Sequence, residues 1–135
     1  MRRILVGFDG SEGSENALNK AMMLVNEHGE IVLIAVVPVP SESNLMDSAT
    51  HEMMLQKAQN LINSVITDIG IHDYGIQGIV KEGDIAGTIS DVANELNCEM
   101  IILGSKGASE LGNYPIGSVA NKVVQYAHKP VMVVR

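Results

Sequence analysis

The stretch Ile101-Ile102-Leu103-Gly104-Ser105-Lys106-Gly107, followed after nine residues by Gly117-Ser118-Val119, joins an apolar run to a helix-like segment through glycines. A strand that opens into a loop of this kind and then a helix is a building block of a parallel α/β sheet. Glycines let the backbone turn sharply and approach a ligand with no Cβ in the way. The amides that open the next helix point outward with the positive end of its dipole. The stretch is therefore a candidate anion cradle, with phosphate as its natural guest.

Outward from this point, the chain repeats the same alternation. Ile4 to Phe8, Ile31 to Val37, Ile76 to Val80, Met100 to Leu103 and Val131 to Val134 are strand-sized and rich in Ile, Val and Leu. Most are apolar on both faces, as strands covered by helices on each side must be. Between them, Ala17, Leu18, Ala21, Met22 and Val25 mark one helical face, and Ala58, Leu61, Ile62, Val65, Ile66 and Ile69 a second. Ile85, Ile89, Val92, Ala93 and Leu96 mark a third, and Val119, Ala120, Val123, Val124 and Ala127 the last. Such alternation predicts parallel strands joined by right-handed crossovers.

Caps and stops fit this parsing. Ser11 or Ser14 can cap the first helix, Asp84 the third and Ser118 the fourth, while Gly29 and Gly70 fall where the first two helices should end. Pro130 closes the last helix and delivers the final strand. Pro38 to Thr50 has little period and is long for a connection, which leaves a flap or a linker open. In a doubly wound sheet, ligands sit outside the carboxyl ends of the strands where the winding reverses. Three segments occupy such ends: Phe8-Asp9-Gly10-Ser11, Val36-Val37-Pro38 and Leu103-Gly104-Ser105.

Composition narrows the function. With 135 residues and 46% apolar content, the chain is expected to form one domain, residues 1–135, that buries a core without disulfides or a structural metal. The single cysteine, Cys98, precedes an apolar run, where a buried inert thiol is expected. The apolar runs are too short to span a bilayer and Met1-Arg2-Arg3 is no export signal, so a soluble cytoplasmic protein without a membrane partner is expected. A net charge of −7 argues against nucleic acid as a partner, since counterion release needs a basic surface. A bound polyphosphate must then rely on local amides, Lys106 or a divalent cation.

At these residues the chain resembles the universal stress protein family over its full length. Arg3 to Glu12 looks like the family's first strand and turn, and Glu82-Gly83-Asp84 with the following helix like its third. The glycine series through Gly117-Ser118-Val119 matches the signature of the ATP-binding branch, and Lys129 to Arg135 looks like the terminal strand. The resemblance implies a three-layer doubly wound, Rossmann-like sheet of five parallel strands, ordered 3-2-1-4-5, with the switch point between strands one and four. It further implies that Asp9, beside Phe8, hydrogen-bonds the nucleotide near ribose or adenine, and that the backbone at Val36, beside Val37, meets the adenine edge. Gly104, Gly107, Gly117, Ser118 and Val119, with Leu103 and Lys106 in the same loop, would hold ribose and phosphates. The implied role is a stress-response regulator that binds ATP, ADP or AMP, with or without Mg or Mn. The implied assembly is a homodimer through the exposed apolar edge at Val131 to Val134.

The insert Ala108 to Ile116 carries an acid, Glu110, and no base, whereas relatives often place Lys or Arg there. An acid near a triphosphate costs roughly 1 kcal/mol or more at surface dielectric unless it turns away or holds a metal. Asp9 could equally cap the turn into the first helix, the glycines could serve backbone conformation alone, and Lys106 could be a solvated loop residue. There is no Walker motif, no nucleophile elbow and no Cys-His dyad, so a binding protein is favoured over an enzyme. Slow ATP hydrolysis and a ligand-free interaction protein with a vestigial cradle stay open as alternatives. The four histidines, at His28, His51, His72 and His128, lack ligand spacing and read as surface residues. The eight methionines read as adaptable packing, and Tyr74, Tyr114 and Tyr126 as no stacking platform.

Overall fold

A computed structural model describes residues 1–40, 47–106 and 116–135. Nine elements alternate along it: β1 (Arg3–Gly7), α1 (Glu12–Leu24), β2 (Glu30–Val37), α2 (Ser48–Ile69), β3 (Gly75–Glu82), α3 (Ile85–Glu95), β4 (Met100–Gly104), α4 (Ser118–Tyr126) and β5 (Val131–Val134). All four strand pairings are parallel and the order is β3-β2-β1-β4-β5, as expected. The winding reverses between β1 and β4, which pair through Ile4–Met100, Leu5–Ile101 and Val6–Ile102.

The period of two along each strand divides the core into two layers. Ile4, Val6, Phe8, Ile31, Leu33 and Ile102 pack with α1 and α2. Leu5, Val32, Ile34, Ile101 and Leu103 pack with α3 and α4 on the opposite face. The three inner strands are therefore buried on both sides, while β3 and β5 at the sheet edges are only partly covered. Among the described residues, no helix is long and apolar enough to cross a membrane. Cys98 is fully buried, and burial pushes its thiol up, with nearby Arg3 opposing that shift, as suits an inert core residue.

Several local expectations are corrected. Helix α2 opens at Ser48, well before the apolar face that reveals it, because Asp47 caps it by accepting from the Thr50 amide at 2.7 Å. Those hydrogen bonds hold the Asp47 carboxyl below its ordinary value. Pro38 to Thr50 is thus partly helical, and its residues 41–46 lie outside the described residues. Helix α1 stops at Leu24 with Val25 as its C-cap, so Gly29 does not end it, whereas Gly70 does end α2 with φ of 75°. Gly117, not Ser118, is the N-cap of α4. His51 is mostly buried, its Nε2 lying 3.3 Å from Glu82 Oε1, so it is no surface residue. Met23 and Met53 face solvent rather than the core, and the Tyr74 ring stacks on His72 at 5.0 Å.

Candidate functional site

The carboxyl ends of β1, β2 and β4 open into one cavity of about 360 Å³. Its floor comes from Gly7, Phe8 and Asp9 after β1, from Val36, Val37 and Pro38 after β2, and from Leu103 and Gly104 of β4. Ile85 and Ile89 of α3 close one side, and Met54, Lys57, Ala58 and Leu61 of α2 the other. The mouth carries Ser105, Lys106, Gly117 and Val119. Walls that are mostly apolar with a few polar groups at one end are the usual make-up of a small-molecule site.

Most residues singled out from sequence meet here. Phe8, Asp9, Val36, Val37, Leu103, Gly104, Lys106, Gly117 and Val119 all line the cavity. Ser118 does not line it; the residue is exposed on the first turn of α4. Gly107 lies outside the described residues, as does most of the insert that follows it. Lys57 and Met54 were missed as lining residues, and Leu61 was read only as part of a helical face. Their spacing of three and four puts them on one helical face, a signal that Leu61 and Ala58 already carried and that stops short of Lys57 only because it is charged.

The two readings of Asp9 meet in one side chain. Its Oδ1 accepts from the Ser11 amide at 2.9 Å, which shapes the turn into α1, while the residue also borders the cavity. Ser11 then caps α1: its Oγ accepts from the Ser14 amide at 3.2 Å, and Ser14 Oγ donates to the Ser11 carbonyl at 2.9 Å. Ser11 thus takes up two amides of the first turn, that of Ser14 through its Oγ and that of Glu15 through its carbonyl, and the turn carries Glu12 and Glu15. The two carboxylates oppose an anion at this terminus, although Ser11 and Ser14 themselves line the cavity.

Gly104 has a different reason to be glycine from the one its motif suggests. A Cβ there would lie 2.5 Å from the Gly13 carbonyl carbon, and a Cβ on Gly13 would lie 2.7 Å from the Lys106 carbonyl oxygen. The two glycines let the start of α1 press backbone to backbone on the end of β4. Gly13 escaped the sequence reading because its partner is far along the chain and no local pattern points to it.

Gly117 closes the other side of the mouth. Its amide donates to the Ser105 carbonyl, and the Ser105 amide donates to the Val134 carbonyl at 2.7 Å, so the loop is tied to both α4 and β5. At the N-cap, Gly117 offers no side-chain hydrogen bond to the helix, and the first turn of α4 has no acid. The positive end of this helix faces the cavity through Val119 and Ala120 without a carboxylate of its own turn to neutralise it. Among the described residues, no cluster of His, Cys, Asp or Glu is placed to hold a metal ion.

Comparison with known proteins places this arrangement. The model of the universal stress protein family matches residues 1–135. Universal stress protein G of Shigella flexneri is 26% identical over 129 residues, which cover 92% of this chain and 90% of that protein. Universal stress protein UspA from Lactobacillus plantarum superposes with a TM-score of 0.83 at 20% identity, covering 98% of this chain and 97% of that one. The universal stress protein from Archaeoglobus fulgidus, solved in complex with dAMP, has a TM-score of 0.62 at 21% identity and covers 100% and 98%.

Proposed function

The chain belongs to the universal stress protein family, and from that premise we propose that it is a regulatory protein binding ATP or a related adenine nucleotide in the β1/β4 crevice. One observation carries the reading: an apolar cavity at the switch point ends at the start of α4, a helix with neither a side-chain cap nor an acid in its first turn. A base fits among Val36, Val37, Ile85 and Ile89, and a phosphate against the amides that open α4. The dAMP complex of the Archaeoglobus fulgidus protein, which has the same fold, supports an adenine nucleotide as the ligand class.

In this reading Asp9 meets the ribose or the adenine, the Val36 backbone meets the adenine edge, and Leu103, Gly104, Lys106 and Val119 enclose ribose and phosphate. Ser118 is exposed and acts, if the phosphate extends past the mouth, through its hydroxyl. Gly107 is proposed in the same cradle on its motif alone. A single domain of residues 1–135 is proposed to pair with a second copy through β5. That strand lies at the sheet edge with all four residues only half-buried, which leaves a row of backbone groups open to another strand. Binding, rather than turnover, is the proposed activity.

The test is direct. Freshly purified protein is denatured, the small molecules released are identified by mass spectrometry, and the nucleotide-free protein is titrated calorimetrically with AMP and with ATP and Mg²⁺. A released or bound adenine nucleotide is expected; none in either experiment overturns the reading.

A further inference from the structure

A second cavity, a groove of about 680 Å³, lies between α1 and α2. Glu15, Leu18, Asn19 and Met22 follow one another at helical spacing along its α1 wall. Val65, Asp68 and Ile69 do the same along the α2 wall, with His72 just past the end of that helix. Phe8 and Leu18 are buried beneath, Met22, Val65 and Ile69 are half-buried, and Glu15 and Asp68 are exposed at the rim. The His72 ring stacks on Tyr74, which also lines the groove, and holds its Nε2 2.9 Å from the Ile69 carbonyl oxygen. Small-molecule sites span about 300–1,000 Å³ and combine an apolar lining with a few polar groups, as this groove does.

The carboxylates Glu15 and Asp68 stand on opposite walls, and no Lys or Arg lines the groove. Neither carboxylate has a Lys or Arg three or four residues away, and among the described residues the ion pairs are Arg3–Glu30 and His51–Glu82, which involve neither. Helix α2 ends at Ile69 with no basic residue in its last turn, so the negative end of its dipole, roughly half a charge, adds to the same field. An anion is repelled here and a cation drawn in. A bare metal ion needs several oxygen ligands and gains nothing from an apolar floor, and among the described residues no cluster of acids, histidines or cysteines is placed to hold one. A cation with a hydrocarbon body uses both parts of the groove, burying its methylenes while its charge stays at the wet rim.

We propose that this groove binds a linear aliphatic amine, with its methylene chain on Leu18, Met22, Val65 and Ile69 and its ammonium groups at Glu15 and Asp68. Two carboxylates on two walls favour a di- or polyamine over a monoamine. Among the described residues, Phe8 alone is shared with the nucleotide crevice, and amine binding does not depend on a nucleotide being bound.

Calorimetric titration of the full chain with spermidine, hexylamine, hexanoate and Mg²⁺ at low salt tests this. The variants are Glu15→Gln, Asp68→Asn and, as a control of equal charge, Asp91→Asn on α3, which packs on the opposite face of the sheet. Spermidine is expected to bind at least about threefold tighter than hexylamine or Mg²⁺, and hexanoate not at all. Glu15→Gln and Asp68→Asn should each weaken spermidine about threefold, while Asp91→Asn leaves it unchanged. All three side chains are exposed, so the variants should melt close to the parent. In methyl NMR, spermidine should shift the resonances of Leu18, Met22, Val65 and Ile69. Shifts centred elsewhere, equal weakening by Asp91→Asn, or Mg²⁺ that binds as tightly as spermidine reduce the effect to attraction by the net charge of −7 and overturn the proposal. So does the absence of any binding at millimolar spermidine.

Discussion

Two helices begin at the mouth of the same cavity and are built in opposite ways. Helix α1 is closed: Ser11 caps it, Asp9 braces the turn before it, Glu12 and Glu15 offset its dipole, and Gly13 presses it on Gly104. Helix α4 has glycine at its N-cap, no side-chain cap and no acid in its first turn. A capping side chain in place of this glycine would add only a few tenths of a kcal/mol, so glycine leaves the terminus open to a ligand at little cost in stability. On the proposed reading the first terminus has a structural duty and the second a binding duty, although both carry the glycines and serines that a motif search picks out.

The largest effect should come from the closed side. Gly104→Val drives a side chain into the Gly13 backbone, which cannot give as a flexible side chain would, and is expected to cost about 3 kcal/mol in urea unfolding. Gly13→Ala should cost somewhat less through the Lys106 carbonyl. If Gly104→Val instead keeps the parent's stability and abolishes nucleotide binding alone, the glycine serves ligand approach and the division of labour fails.

Gly117→Asp sharpens the contrast from the open side. The backbone there, φ −73° and ψ 171°, suits a capping aspartate, so α4 should gain a few tenths of a kcal/mol by thermal melting. The same carboxylate should weaken AMP roughly tenfold, since an anion would face an anion a few ångströms away. Ser11→Ala is the mirror experiment. It should destabilise by about 1 kcal/mol through loss of the cap and leave nucleotide affinity unchanged.

How much of this was legible in the sequence follows from where each signal resides. The inner strands were plain because burial on both faces writes itself as unbroken Ile, Val and Leu, and the sheet order came from the family resemblance rather than from any periodicity. Helix α2 was half-seen. Its second part turns Leu61, Ile62, Val65 and Ile66 inward, but from Ser48 to Lys57 it places His51 against Glu82 of β3 and Met54 and Lys57 along the cavity, which make no apolar stripe. That the strand-end residues line one cavity was legible because a doubly wound sheet opens a crevice at its switch point. The Gly13–Gly104 contact was not, because a close approach between distant backbones leaves no local trace. Ser118 was misplaced by one residue: a serine at a helix start reads as a cap, and only backbone angles reveal that Gly117 holds that position.

The smallest predicted effect concerns the third opening, that of α2. Hydrogen bonds from Thr50 hold the Asp47 carboxyl below the ordinary value of 3.8. A depressed folded value means that its contribution is present above the unfolded pKa and is lost as pH falls through the folded one. The Thr50 amide resonance should therefore titrate below pH 3.8, and Asp47→Ala should speed amide exchange in the first turn of α2 without unfolding the sheet. Titration at or above the ordinary value would remove the cap from the account.

The division between the two termini is tested most directly by amide NMR of the labelled protein, comparing the shifts caused by AMP with those caused by adenosine. The phosphate alone accounts for the difference. It should fall on the amides of residues 118–120 and leave Glu12 to Glu15 unmoved; a difference centred on the opening of α1, or absent from the opening of α4, contradicts the account.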